Sequence, residues 1–323
     1  MPEGSFSPSP FPGHAQAQLI ALIGAPRSGT TWLQSLVGSH PAIVTPQETT
    51  LFTRYIAPID ENWRWEQRGT GEDRARRRYV GLGAVLTEAE MTEAVAEFVQ
   101  FTLRHVLELK PGAHMVLEKT PSHSLHVDLI ARYVPGVRFI HLIRDGRDVA
   151  SSLVAASQGW GASWGAPGNV ARAARTWSDH VTAALRAKEL GPYCELRYED
   201  LRGEDGSTRL REVFDFCGLD VSERSAAERL RQFSFGEQRA GARAIVVGGD
   251  AARFDDAEVE PEGFFNRGEV GTWDPSWTTR ERVEFDAEAG ELLRELGYVP
   301  DDAWLGPARE VRVARRRRRD VTH

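Results

Sequence analysis

The chain has 323 residues, 41% hydrophobic and 27% charged, with a formal net charge of -7. It is long enough to bury a full core, and its acidic balance argues against general nucleic-acid affinity. Two cysteines, Cys194 and Cys217, make no disulfide framework, no metal-ligand cluster is visible, and no apolar run approaches the roughly 20 residues that span a bilayer, so the expectation is a cytoplasmic protein.

Residues 1–16, with their Ser, Pro and Gly, read as a flexible leader lacking the basic and apolar regions of a signal peptide. The apolar run at 19–23 reads as a buried strand, and 30–37 continues with helical apolar spacing. Between them lies Gly24-Ala25-Pro26-Arg27-Ser28-Gly29-Thr30-Thr31-Trp32, a loop whose N–H groups converge on an anion at a helix N-terminus. An ATP-binding loop needs Lys and then Ser or Thr directly after its second glycine. That place holds Thr30, and the cation comes early, at Arg27. A cation there suits the terminal group of a shorter phosphate chain, and Trp32 offers a ring face to a base.

A helix is predicted at about 87–108, a strand at 115–118, a helix at 123–133, a strand at 138–143 and a helix at 147–157. The helical segment at 170–189, with Trp177 and Leu185 on its apolar face, reads as core packing. A strand follows at 193–197, then mostly helices. The tail, 308–323, contains Arg315 to Arg319 and reads as solvated chain. Strands alternating with helices predict an α/β fold, a P-loop-like parallel sheet with helices on both faces. Ligands of such sheets bind at the carboxyl ends of the strands, where the Gly24 loop, Lys119, Arg144 and Tyr198 emerge.

Arg27 to Trp32 resembles the 5′-phosphosulfate loop of the sulfotransferases that use 3′-phosphoadenosine 5′-phosphosulfate (PAPS). The start Pro26-Arg27-Ser28-Gly29-Thr30-Thr31 is shared with the tyrosylprotein sulfotransferases. A second match, over 139–152, is similar to the family's 3′-phosphate site, with Arg144 at the strand end and Ser152 eight residues later. The neighbouring Arg147 and Asp148 are expected to be a surface ion pair or cap. A third match, at 264–273, contains Arg267, Gly268, Gly271 and Trp273, with Asn266 where the family carries arginine. Tyr198, in a Tyr-Glu-Asp segment, matches the tyrosine that reaches the adenine in relatives, although a strand-end tyrosine can equally be core.

The resemblance covers about residues 19–296 and implies a sulfotransferase fold in one domain, 17–307. It implies PAPS as co-substrate with no metal, and binding residues Arg27, Ser28, Gly29, Thr30, Thr31, Trp32, Arg144, Ser152, Tyr198, Arg267 and Gly268. Sulfuryl transfer needs cations at the departing phosphate oxygen, for which Arg27 and Lys119 are the candidates. Lys119 is one of only three lysines, with Lys110 and Lys188. An acceptor hydroxyl needs a base. Glu48 stands where the tyrosylprotein sulfotransferases carry their catalytic glutamate, and His123 competes for the role. The irregular stretches near 59–86, with Trp63 and Trp65, and 236–263 are expected on the acceptor side. The acceptor is a hydroxyl or amine of a small molecule, glycan or lipid-like compound, with no nucleic-acid partner. A P-loop kinase or NTPase, or a nucleotide-binding module without transfer activity, is the alternative.

Overall fold

The computed structural model describes residues 16–68, 81–234, 268–273 and 277–306. The first strand, β1 (Gln18–Ile23), is buried on both faces after its first residue, as a central parallel strand must be. Helix α1 (Thr30–Gly38) follows, then the two-residue strand β2 (Ile43–Val44), too short for any periodic signal. A π-helical turn, Leu51–Ile56, runs into α2 (Ala57–Gln67).

Helix α3 (Glu88–Glu108) starts at a capping box between Thr87 and Glu90 and leads to β3 (Met115–Glu118). A 3₁₀ turn, Pro121–His126, precedes α4 (Val127–Tyr133), where the sequence predicts one continuous helix. Strand β4 (Arg138–Ile143) and helix α5 (Gly146–Ser157), capped by Asp145, are followed by α6 (Val170–Leu185), capped by Asn169. Then come β5 (Tyr193–Arg197), the short α7 (Tyr198–Arg202), α8 (Gly206–Phe216) and α9 (Glu223–Gln232). Among the described residues α10 (Thr279–Glu295) is the last α-helix, followed by a 3₁₀ turn, Ala303–Leu305.

The described strands form one five-stranded sheet in the order β2-β3-β1-β4-β5, parallel at every pairing. The expected α/β architecture is therefore present. Because side chains alternate along a strand, β1 divides its residues between two cores. Leu19, Ala21 and Ile23 pack with Val95, Val99 and Leu103 of α3 on one face. Ile20 and Leu22 pack with Leu33 and Leu36 of α1 and Phe214 of α8 on the other. A third cluster joins α5, α6 and α10 through Leu153, Trp177 and Phe285.

Two expectations change. The first part of the 59–86 stretch is helical, and Trp63 lies 4% exposed in the core because α2 turns it inward. Residues 69–80 and all of 236–263 lie outside the described residues, as do the tail from 307 and nearly all of the leader.

Candidate active site

The loop after β1 is shaped by positions that tolerate only a narrow set of residues. Gly24 donates its N–H to Ser124 Oγ (2.8 Å), which donates back to the Gly24 carbonyl (3.0 Å). A Cβ at Gly29, whose φ is 94°, would come within 2.7 Å of the Tyr198 ring, so only glycine fits between the loop and that ring. Arg27 itself takes a φ of 72°, uncommon for a residue with a side chain and a sign of local strain.

Helix α1 begins without a side-chain cap and without an acid in its first turn. The Leu33 amide is bonded back to the Gly29 carbonyl at 3.1 Å, while the amides of the turn before it have no carbonyl of the helix to reach. Those amides, at the positive end of the helix, have the geometry that suits an anion.

Cations gather beside it. Arg27 Nε donates to Ser152 Oγ at 3.0 Å. Lys119, 2% exposed at the end of β3, donates to Thr31 Oγ1 at 3.2 Å and to Glu48 Oε1 at 2.5 Å. The Glu48 carboxylate remains 40% exposed. Arg144, at the end of β4, stacks its guanidinium over the Tyr198 ring at 4.3 Å and donates from Nη2 to the Glu269 carbonyl at 2.9 Å. Its Nε is buried with no partner among the described residues, and the same holds for Ser28 Oγ. Buried donors of this kind are costly unless something accepts from them.

Two aromatic rings complete this end. Trp32, on α1, donates Nε1–H to the Phe233 carbonyl (2.8 Å) and meets the Tyr198 ring edge-on at 5.5 Å. Tyr198 is fully buried and donates its hydroxyl to the Gly268 carbonyl at 2.9 Å. Burial pushes its phenol up, against the pull of Arg144 and Arg202. Glu199 takes the Asp145 amide (2.9 Å) and the Tyr298 hydroxyl (3.1 Å), with burial raising its carboxyl above the ordinary range.

The expected surface pair at the start of α5 is instead buried. Arg147 makes a double contact with Asp145, at 2.9 and 2.6 Å, and lies 4.2 Å over the Trp273 ring. Asp148 is 2% exposed and accepts from three consecutive amides, Gly271 (2.8 Å), Thr272 (3.0 Å) and Trp273 (3.2 Å). Helical spacing shows both residues at a helix start but says nothing of a partner more than a hundred positions away.

These groups share one cavity of about 1120 Å³. Arg27, Gly29, Thr30, Thr31, Trp32, Glu48, Lys119, Arg144, Ser152, Tyr198 and Gly268 all line it. Its other end is walled by Thr53 and Arg54, by Ser122 and Leu125, by Trp164, and by Arg172, Arg175, Thr176, Asp179 and His180 from α6. Helix α6 thus packs Trp177 and Val181 into the core and turns its opposite face to the cavity. Arg175 is paired with Glu288, whereas Arg54 and Arg172 have no acidic partner among the described residues.

The remaining candidates fall elsewhere. Ser28 lies beneath the loop rather than among the lining residues, and Arg267 lies outside the described residues. His123 is likewise not in the wall. Its Nδ1 sits 2.8 Å from Glu118 Oε2, and its Nε2 accepts the Phe52 amide at 3.1 Å, so both nitrogens are engaged away from the cavity. The residues of the 59–86 stretch expected at the acceptor side, Trp63 and Trp65, do not line the cavity. The nearby contributions come from residues just before it.

A parallel α/β sheet with an uncapped helix start and cations at its strand ends is the architecture of the P-loop-like folds. The sequence pattern described as "Sulfotransferase family" matches residues 20–223, and the chain belongs to that family. Over 148 residues it is 26% identical to protein-tyrosine sulfotransferase 1 of Danio rerio, covering 45% of this chain and 38% of the relative. An uncharacterized protein of Aquifex aeolicus is 27% identical over 225 residues, 66% of this chain and 27% of the relative. The chain therefore spans well under half the length of these two relatives. Mouse sulfotransferase SULT7A1, solved with PAP, shares the fold with a TM-score of 0.51 at 17% identity, covering 87% of this chain and 85% of that one.

Proposed function

We propose that this protein transfers the sulfuryl group of PAPS to a hydroxyl or amine of an acceptor. One observation carries the reading: Lys119 Nζ reaches both Thr31 Oγ1, at the start of α1, and Glu48 Oε1, which puts a cation between an anion site and a carboxylate in one cavity. PAPS supplies a sulfuryl group activated by its bond to phosphate, and transfer leaves negative charge on the phosphate oxygen. The residues fit such a ligand. The α1 amides with Thr30 and Thr31 would hold its 5′ end, and the unpartnered Arg144 Nε with Ser152 its 3′-phosphate. Trp32 and Tyr198 would border the base, with Gly268 beside them in the cavity wall. Ser28 Oγ would accept or donate from below the loop.

Within this reading each side chain has one task. Arg27 and Lys119 place positive charge where the leaving group gains its own, an interaction strongest in the transition state. Glu48, half-exposed to the cavity, takes the acceptor proton as the oxygen or nitrogen attacks in line. The opposite wall, with Arg54, Arg172, Thr176 and His180, favours polar small molecules or glycans over a lipid-like acceptor. No helix among the described residues is long and apolar enough to cross a membrane.

The test has two arms. Calorimetry should show adenosine 3′,5′-bisphosphate (PAP) binding far better than ATP with magnesium, and labelled sulfate should pass from PAPS to members of a panel of phenols, sugars and amines. Equal or better binding of ATP with magnesium would return the protein to the kinase or NTPase class. PAP binding with no transfer to any member would favour a binding module.

A further inference from the structure

Glu118 and Lys119 are adjacent at the end of β3, and strand geometry sends them to opposite sides. Lys119 lines the cavity. Glu118 points away from it and is 3% exposed, a placement that costs free energy unless its oxygens are fully bonded. They are. Oε1 accepts from Thr49 N (3.1 Å), Thr49 Oγ1 (2.7 Å) and Thr120 Oγ1 (2.9 Å). Oε2 lies 2.8 Å from His123 Nδ1. His123 Nε2 accepts the Phe52 amide, so Nδ1 carries the hydrogen and donates it to Glu118. Desolvation opposes ionisation of Glu118, but the His123 ring and the Thr49 and Thr120 donors outweigh it and hold the carboxyl below its ordinary range.

The network has a direction. Thr50 N donates to Thr120 Oγ1 at 3.3 Å, so three side chains between 118 and 123 capture the amides of Thr49, Thr50 and Phe52. Thr50 is held in a left-handed conformation, φ 52°, between its captured neighbours. The captured backbone begins at the residue after Glu48, whose carboxylate meets Lys119, the residue after Glu118. A core position that served packing alone would be filled more cheaply by an apolar side chain.

We propose that Glu118, braced by His123, is a positioning residue that fixes Glu48 against Lys119 by anchoring the backbone at 49–52. The inference rests on the reading of Glu48 as the base. It also accounts for the histidine that the sequence offers as a rival base: His123 acts on Glu48 through Glu118 and the Phe52 amide, and touches no reacting atom.

Glu118→Gln tests it, because an amide in that pocket must turn a donor toward the His123 N–H or toward the Thr49 and Thr120 donors. Amide exchange on PAP-bound protein should become at least tenfold faster at Thr49 and Phe52 while the β1 and β4 amides keep their protection. Unchanged exchange at 49 and 52 would overturn the inference, and this readout needs no acceptor. With 2-naphthol as the acceptor probe, Glu118→Gln should lower kcat on the order of 10²-fold with the PAP Kd unchanged, the scale expected from misplacing a catalytic group by about 1 Å. In a Glu48→Gln background the same change should cost less than threefold, since the group it positions is gone. Equal losses in both backgrounds would mean that Glu118 does not act through Glu48 and would overturn the inference alone. Full turnover by Glu48→Gln would instead remove Glu48 as the base. Should Glu118→Gln not fold, Thr49→Val, which removes the hydroxyl that donates to Glu118 and accepts the Leu51 amide, replaces it in the same cycle.

Discussion

At one end of the cavity, consecutive residues after β1 supply backbone amides, Arg27, Thr30, Thr31 and Trp32, while the opposite wall takes single side chains from separate elements: Arg54 from the turn before α2, Ser122 and Leu125 from the turn after β3, and Arg172, Thr176 and His180 from α6. The first arrangement is suited to binding through main chain, whose N–H groups are the same for any sequence, so the constraint falls on glycines and on local order and leaves a contiguous motif. The second is suited to binding through side chains brought together by packing, each free to vary with the ligand. A donor shared by many enzymes and an acceptor particular to one would produce this contrast.

Four measurements sharpen or break it, and the largest effects belong to the centre where the two ends meet. Glu48→Gln keeps the shape of the side chain and removes its basic oxygen. It should lower kcat by about 10² to 10⁴ with the PAP Kd unchanged, and a loss confined to KM would move the base elsewhere.

Arg27→Ala should lower turnover by about 10² to 10³, since its charge matters most as the leaving group departs, and should weaken PAP binding much less. A parallel loss of PAP affinity and kcat would make Arg27 a ground-state ligand only.

Asp148→Asn probes the 268–273 segment, because one carboxylate holds the three amides from Gly271 to Trp273. The expected result is about tenfold weaker PAP binding with the α1 loop intact, from the loss of charge-assisted bonds. Unaltered PAP binding would separate that segment from the donor end.

Arg172→Ala should be the mildest. A few-fold change in acceptor KM is expected, with kcat and PAP affinity retained, because an exposed arginine at the wall contributes modestly. Were PAP binding to fall instead, the division of the cavity into two ends would be wrong.

Much of the fold was legible because it is local. The alternation of buried strands and amphipathic helices sets β1, β3, β4 and β5 close to their expected bounds, and the 24–32 segment stands where a strand hands over to a helix. Elements without a local signal were not legible. Strand β2 has two residues, and α2 hides Trp63 in a stretch whose composition reads as irregular.

The sequence by itself determined which chemistry-bearing residues lie at strand ends, because strand and helix periods are properties of a few neighbouring residues. Only the tertiary structure decided which way those residues face and what they hold. It turned His123 from the cavity onto Glu118 and Phe52, sank Arg147 under Trp273, and aimed Asp148 at amides far along the chain. A buried polar group must find its partners wherever packing places them, and such partners leave no spacing in the sequence.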